Sequence, residues 1–291
     1  MKDNNDKKKI VVTGASGQLG QELQVIAMNY SQFEFIFLTK EDLSVSNSSR
    51  VTNFFLKIRP AFCINCAAYT AVDKAEQERE KAFLVNGVAV RIIATACKVL
   101  NVKLIHISTD YVFDGNSATP LMEDDAVSPI NVYGVSKLKG EEFALGNNDQ
   151  TIVIRTSWVY SEFGNNFVKT MIRLMREKES INVIDDQIGS PTYAADLAKI
   201  ILDIIAGEKF IPGIYNFSNN GEISWYEFAI AIKELIGSSC VVNPIPTSQY
   251  PTLAKRPHYS LLDKKKIKDV YNIEIVDWKK SLAICIDRLM K

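Results

Sequence analysis

The chain has 291 residues, and its 34 Lys and Arg balance its 34 Asp and Glu to a formal net charge of zero. With 47% hydrophobic and 23% charged residues it has an ordinary globular composition, which excludes collagen-like, disordered and disulfide-dense classes. The balance also argues against a nucleic-acid-coating protein, and the length suits one large or two modest domains.

The opening stretch, Met1 to Lys9, is polar and charged with no apolar segment after it, so no secretory leader is expected and Lys7, Lys8 and Lys9 read as a solvated tail. Ile10-Val11-Val12 is a continuous apolar run, as in a strand buried on both faces. A glycine-rich turn follows, then helical spacing from Leu19 to Tyr30, a second strand from Phe33 to Leu38, and a helix from Ser49 to Ile58 stopped by Pro60. Ala61 to Asn65 reads as a third strand, and residues 78–99 as a long helix carrying Phe83, Val85, Val88, Ile92, Ile93 and Cys97. Lys103 to Ile107 is a fourth strand, Tyr133 to Leu145 a helix, and Thr151 to Ile154 a fifth strand. This alternation predicts an α/β fold, a Rossmann-type doubly wound parallel sheet with helices on both faces.

The second half is less regular. Helices are expected over Asn166 to Lys178, Tyr193 to Ala206, Trp225 to Ile236 and Trp278 to Met290, and strands over Ile181 to Ile184 and Gly213 to Phe217. Prolines cluster at 244, 246, 251 and 257. The expected division is a dinucleotide domain of 1–155 plus about 181–215, and a smaller α+β substrate domain of about 156–180 plus 216–291. No apolar run approaches the ~18 residues of a membrane span, so no membrane partner is expected. The five cysteines are scattered, and the pair Cys63 and Cys66 lies in a strand and its exit, away from the helix N-terminus that redox pairs use, so buried thiols in a reducing cytoplasm are expected. With only two histidines, a His-rich metal site is not expected.

Three groups of residues carry chemistry. Thr13-Gly14-Ala15-Ser16-Gly17-Gln18-Leu19-Gly20 joins the first strand to the first helix, and its glycines permit a tight turn and close approach of a diphosphate to the helix N-terminus. The second strand ends in Leu38-Thr39-Lys40 rather than in the acid that holds an NAD ribose, so Thr39 with a cation beside it could accept a 2′-phosphate, and NADPH should serve at least as well as NADH. Tyr133 and Lys137 form Y-x-x-x-K, a spacing that puts both side chains on one helical face with Cβ atoms ~5–6 Å apart. A free phenol has a pKa of ~10; a neighbouring ammonium favours the phenolate, so Lys137 should lower it and let Tyr133 act as a proton donor to a carbonyl. Thr109, at the end of the fourth strand, points at the crevice where ligands bind and could orient that carbonyl, although such hydroxyls also cap loops.

With these motifs on view, the chain resembles the extended short-chain dehydrogenase/reductases, in their dTDP-4-dehydrorhamnose reductase branch. The resemblance rests on the glycine turn and on Asn65-Cys66-Ala67-Ala68-Tyr69-Thr70-Ala71-Val72-Asp73-Lys74-Ala75-Glu76, Ser108-Thr109-Asp110-Tyr111-Val112-Phe113, Asn131-Val132-Tyr133-Gly134, Arg155-Thr156-Ser157-Trp158-Val159-Tyr160, Asp186-Gln187, Gly189-Ser190-Pro191-Thr192 and Arg256-Pro257. It implies NADPH- or NADH-dependent reduction of the 4-keto group of dTDP-4-dehydro-L-rhamnose to dTDP-L-rhamnose, with Tyr133 as acid, Lys137 as its partner and Thr109 as orienter. It puts Gly14, Gly17, Gln18, Leu19 and Gly20 on the diphosphate, Ala67, Ala68, Tyr69 and Thr70 along the cofactor, and Ser44 and Val45 at the adenine, with Asp42 and Leu43 as the competing choice. Thr109, Asp110, Trp158 and Arg256 fall at substrate positions. Trp158 could stack on the thymine, pack the sugar or belong to the core; Arg256 could meet the sugar nucleotide's diphosphate or form a surface ion pair.

Related dehydratases carry Thr-Asp-Glu after the fourth strand. Tyr111 stands in place of that glutamate, which favours simple reduction. The family's Ser-Arg-Pro is Lys255-Arg256-Pro257 here. Of the acids with which some members bind magnesium at a dimer contact, Glu22 is retained and Ala195 replaces another, so a metal is not expected, and the chain should be a monomer or weak homodimer. A non-catalytic regulatory subunit on the same fold, like that of methionine adenosyltransferase, and a reductase of another dTDP-4-keto-6-deoxy sugar are the alternatives.

Overall fold

The computed structural model describes residues 7–291; the leader expectation for residues 1–6 lies outside it. The first strand, β1 (Lys8–Thr13), is longer than its apolar triad. Lys8 and Lys9 are strand residues paired with Phe33 and Glu34, not a free tail. The first half continues with α1 (Gln18–Ala27), β2 (Phe33–Leu38), α2 (Ser48–Ile58), β3 (Phe62–Asn65), α3 (Val72–Ala75), α4 (Arg79–Phe83), α5 (Ala89–Val99), β4 (Lys103–Thr109), α6 (Val132–Asn147) and β5 (Thr151–Thr156). Leu84–Val88 joins α4 to α5 as a π-helical turn, so the stretch expected as one helix is continuous but locally widened. Helix α1 stops before Tyr30, whose hydroxyl instead bonds Asp203 at 2.7 Å. Helix α2 is capped by the Asn47 side chain and ends at Arg59, which takes a left-handed φ of 49° just ahead of Pro60.

The second half adds β6 (Val159–Tyr160), α7 (Phe167–Glu177), β7 (Ser180–Ile184), β8 (Ile188–Gly189), β9 (Thr192–Tyr193), α8 (Ala194–Ala206), β10 (Gly213–Asn216), β11 (Ile223–Ser224), α9 (Trp225–Leu235), β12 (Val241–Ile245), α10 (Lys265–Tyr271) and α11 (Trp278–Met290). Four of these strands have only two residues, too short to show periodicity. Pro244 sits in β12, an edge strand paired only with β7, where a missing N–H is tolerated.

The main sheet is six-stranded and all parallel, in the order β10-β5-β4-β3-β1-β2. The order reverses between β1 and β3, so a crevice opens at the C-terminal ends of those two strands. Helices α1 and α8 cover one face, and α2 and α5 the other. A second core gathers Tyr160, Met171, Tyr193, Phe228, Trp278 and Leu282. The stretch 181–215, assigned from sequence to the first domain, is shared. Ile181 and Val183 of β7 pack in the second core, whereas α8 and β10 join the main sheet. One helical stretch, Arg79–Val99, does reach the length and hydropathy of a membrane span, contrary to the expectation; it is the crossover between adjacent strands β3 and β4, half buried against the fold.

Candidate active site

The glycine turn closes tightly on itself. Gly14 takes a φ of 70°, and a Cβ there would stand 2.6 Å from the Ala67 amide nitrogen. A Cβ at Gly20 would stand 2.4 Å from the Gly14 carbonyl oxygen. Only glycine lets α1 begin this close to the ends of β1 and β3. The Gly17 amide donates back to Gly14 O, and the first helical bond runs from the Gln21 amide to Gly17 O. Helix α1 has no side-chain cap and no acid in its first turn. Its leading N–H groups, from Gln18, Leu19 and Gly20, therefore face outward unpaired and suit an anion. This cradle fits the diphosphate of a dinucleotide. The Gln18 side chain instead reaches the second lobe, accepting from Asn166 at 2.9 Å.

The loop after β3, holding Ala67, Ala68, Tyr69 and Thr70, is fixed by a residue the sequence reading passed over. Asn86, buried in the π-helical turn, accepts from the Tyr69 amide at 2.8 Å and donates to the Tyr69 carbonyl at 3.0 Å and to Ser136 Oγ at 2.9 Å. Ser136 in turn donates to the Tyr133 carbonyl at 2.7 Å. One amide thus ties the cofactor-side loop to the helix carrying Tyr133 and Lys137. A π-turn often marks a functional site, and the only signal in the sequence was an Asn-Gly inside a helical pattern.

Helix α6 begins at this crevice, capped by Asn131, whose side chain accepts from the Gly134 amide at 2.7 Å. Gly134 packs so closely that a Cβ would lie 2.2 Å from Tyr111 O. The Tyr133 and Tyr111 rings meet edge to face at 5.7 Å. Lys137 is buried and donates to the Ile107 carbonyl of β4 at 2.5 Å. Burial pulls its ammonium down to about 8, against the opposing Glu141 carboxylate. Burial pushes Tyr133 up to about 12, while the Thr109 hydroxyl favours its phenolate. The direction is opposite to the sequence expectation, because desolvation of the phenol outweighs any help from the lysine. At neutral pH Tyr133 is a phenol with a proton to give.

Below these residues lies a buried ion pair. Arg155 of β5 holds Glu141 of α6 through Nε and Nη2, the latter at 2.8 Å, and Ser108 Oγ donates to the same carboxylate at 2.5 Å. Removing one partner from such a pair leaves a buried charge, a loss of about 3–5 kcal/mol. It braces α6 against the sheet one turn beyond Lys137.

Toward the second lobe, Thr109 is buried and donates to Asp110 Oδ1 at 3.0 Å. Asp110 is buried as well; its Oδ2 has no partner among the described residues, and burial pushes the carboxyl up to about 6, against the nearby Ser260 and Thr109 hydroxyls, which favour the carboxylate. Ser260 and Trp158 both crowd Gly189, where a Cβ would lie 3.1 Å from Ser260 Oγ and 3.0 Å from the Trp158 ring. Trp158 takes a left-handed φ of 48°, a strain of about 1–3 kcal/mol for a bulky residue that clusters at functional sites. It stacks on Trp225 at 3.6 Å. Arg256 is engaged with Asp73, so the ion-pair alternative is realised in this structure.

The residues expected at the adenosine are more scattered. Thr39 shares a surface cleft with Ala15 and Ser16. Its hydroxyl and amide both donate to Asp42 Oδ2, at 2.8 and 2.9 Å. The Ser44 hydroxyl pairs with Ser46, and Val45 packs against the core under α2. The five cysteines are all free; Cys63 is buried, Cys66 half-buried, and burial raises the Cys66 thiol. Glu22 is buried too, accepts from Ser161 Oγ at 2.6 Å, and is pushed up to about 7 by burial.

Comparison with known proteins agrees across the whole chain. A family model described as the RmlD substrate binding domain matches residues 8–291. A dTDP-4-dehydrorhamnose reductase of Aggregatibacter actinomycetemcomitans is 40% identical over 284 residues, covering 94% of this chain and 97% of that protein. The spore coat polysaccharide biosynthesis protein SpsK of Bacillus subtilis is 40% identical over 274 residues, covering 94% and 95%. The crystal structure of a dTDP-4-dehydrorhamnose reductase from Bacillus anthracis in complex with NADP is similar with a TM-score of 0.93 at 39% identity, covering 97% and 99%.

Proposed function

The chain belongs to the dTDP-4-dehydrorhamnose reductase family, and from that premise we propose that it reduces the 4-keto group of dTDP-4-dehydro-L-rhamnose to dTDP-L-rhamnose, with NADPH or NADH as reductant and Tyr133 as general acid. The observation that carries the acid role is the gathering of Tyr133, Lys137 and Thr109 at the mouth of the sheet, beside an uncapped glycine turn. The bound nicotinamide supplies a hydride to the 4-carbon.

Thr109 holds the carbonyl by its hydroxyl, which is also within reach of Asp110. Tyr133 gives its phenolic proton to the oxygen as the carbonyl becomes an alcohol, and recovers a proton from solvent. Burial keeps that phenol protonated until it is needed. Lys137 opposes the phenolate's charge and holds the nicotinamide ribose, its ammonium fixed by Ile107 O. Gly14, Gly17, Gln18, Leu19 and Gly20 hold the diphosphate, and Ala67 to Thr70 the nicotinamide half. Tyr111 offers no carboxylate for elimination of water, which supports reduction alone.

The free cysteines suit a reducing cytoplasm, and we expect a monomer or weak homodimer. The test is NADPH oxidation, followed by absorbance, on adding dTDP-4-dehydro-L-rhamnose and other dTDP-4-keto-6-deoxy sugars, with product identification. Absence of turnover of any of them by folded, NADPH-binding protein would leave a regulatory dinucleotide-binding subunit as the reading.

A further inference from the structure

Both faces of the Trp158 ring are occupied by protein. Trp225 stacks on one, with ring centroids 3.6 Å apart and planes 13° from parallel. Phe167 supports Trp225 from beyond, at 4.6 Å. Gly189 covers the other face. A Cβ at Gly189 would lie 3.0 Å from both Cε2 and Cζ2 of Trp158, with Ser260 Oγ next at 3.1 Å. Equal distances to two bonded ring atoms, with Nε1 no nearer, put that point over the ring and not beside its edge. No atom of Trp225 is that close, so the point lies on the side away from the stack.

The two jaws are carried by one pair of strands. Gly189 ends β8 and pairs with Ile223 of β11, and Trp225 follows β11 directly, as the first residue of α9. Ser224 and Glu227 form a reciprocal capping box that fixes the start of α9 and hence the root of Trp225. The Trp158 main chain is bolted to the same region: its carbonyl accepts from Thr192, and Ser157 Oγ donates to Ser190 O at 2.6 Å. Packing on both sides is what keeps a bulky residue in a left-handed backbone.

We propose that Trp225 and Gly189 are positioning residues that clamp Trp158, so that the sugar nucleotide meets Trp158 by the edge of its indole and not by a stacked base. The proposal rests on the reductase reading for the presence of a sugar nucleotide at Trp158. Ser260 Oγ flanks Gly189 on the covered face. Trp158 follows Thr156 of β5 by two residues, and Thr156 pairs with Thr109 of β4, so the clamp sets one wall of the pocket next to Thr109. Gly189 is required there because any side chain would push the ring toward Trp225.

Steady-state kinetics on the holoenzyme at saturating NADPH test this. Trp225→Ala should raise KM for dTDP-4-dehydro-L-rhamnose ~5–10-fold, the scale of a lost aromatic pair, with kcat and NADPH affinity nearly unchanged. Trp225→Phe, which keeps an aromatic face, should restore KM to near the original value. Gly189→Ala should raise KM although it removes no contact, and Trp158→Phe, which keeps a face but loses the indole edge, should raise it too. The clamp is overturned by an unchanged KM in Trp225→Ala or Gly189→Ala, by equal loss in Trp225→Ala and Trp225→Phe, or by parallel loss of NADPH affinity; an unchanged KM in Trp158→Phe overturns the edge contact. If Trp225→Ala does not fold, Gly189→Ala and Trp225→Phe decide. If the unaltered protein reduces no sugar nucleotide, the reductase reading fails separately, and calorimetric titration of the same variants with dTDP decides the clamp: weaker binding in Gly189→Ala upholds it and equal binding overturns it.

Discussion

Arg256 and Asp73 meet in a two-point ion pair that ties the C-terminal segment to α3. Nη2 donates to Oδ2 at 2.6 Å and Nη1 to Oδ1 at 3.1 Å, and the Ala254 amide adds a third bond to the same carboxylate. The guanidinium holds the Asp73 carboxyl below the usual carboxylate range. The pair is only part-buried, so its own contribution to stability is small. Its geometry matters more, because it fixes a cation near Tyr111 at the mouth of the crevice.

If that cation receives the sugar nucleotide's diphosphate, Arg256→Ala should raise KM for the sugar nucleotide ~10-fold or more, leave kcat and NADPH affinity nearly unchanged, and flatten the dependence of KM on salt. Kinetics at low and high ionic strength check this. A variant with unaltered KM and unaltered salt response would assign Arg256 to the ion pair alone.

Tyr133→Phe removes the phenol proposed as the proton donor to the substrate oxygen. It should lower kcat ~10²–10⁴-fold, the usual worth of a positioned acid, while NADPH binding measured by fluorescence titration stays intact. Loss of cofactor binding to the same extent would argue against an acid role.

The buried ammonium of Lys137 gives the rate a pH dependence with a definite sign. Tyr133, pushed up to about 12, stays protonated through the neutral and mildly alkaline range, whereas Lys137, pulled down to about 8, loses its charge there. Reduction should therefore decline as pH rises through about 8, with the lysine and not the tyrosine setting the limb. In Lys137→Arg the guanidinium does not deprotonate, so whatever activity remains should show no limb near that pH. A wild-type profile flat to pH 10 would contradict this.

The elements proposed to carry the chemistry are legible in the sequence because their signals are local. The glycine turn, Tyr133 with Lys137, and Thr109 at a strand end are each set by a few consecutive residues, and the parallel sheet follows from strand and helix periods in order. What escaped the sequence reading depends on partners far along the chain. Asn86 meets Tyr69 and Ser136 through a π-turn, Arg155 meets Glu141 inside the fold, and Trp158 is closed in by Gly189 and Trp225. Strands of two residues carry no period, and β7 left the main sheet because it found β12 instead. The direction of the Tyr133 shift depends on burial, which no spacing reveals.

Cofactor choice turns on the end of β2. Asp42 does not stand free to hold a ribose: its Oδ2 accepts from both the amide and hydroxyl of Thr39, and Arg50 Nη2 donates to its carbonyl at 3.1 Å. Lys40 and Arg50 are exposed cations beside this turn. NADPH should therefore give a kcat/KM at least equal to that of NADH, and Arg50→Ala should lower it for NADPH more than for NADH. Near-exclusive use of NADH would contradict this reading.

Asp110 links the substrate wall to stability. Its folded-state pKa, pushed to about 6, lies above the ordinary aspartate value of 3.8, so between those values the folded protein binds more protons than the unfolded chain. Folding stability contributed by the protonated form is thus lost as pH rises through that window, and above it the buried carboxylate costs up to about 3 kcal/mol. Its Oδ2 has no described partner to offset that burial. Asp110→Asn removes the charge, keeps an acceptor for Thr109, and should be more stable than the unaltered protein by ~1–3 kcal/mol at pH 8 but nearly equal to it at about pH 3, below both values. Urea unfolding of both proteins at the two pH values measures the gap, and a gap independent of pH would show that the carboxylate is not what strains the site. The same substitution should weaken sugar-nucleotide turnover, since a buried, underpaired acceptor beside Thr109 is kept at the expense of stability because it has a ligand to meet.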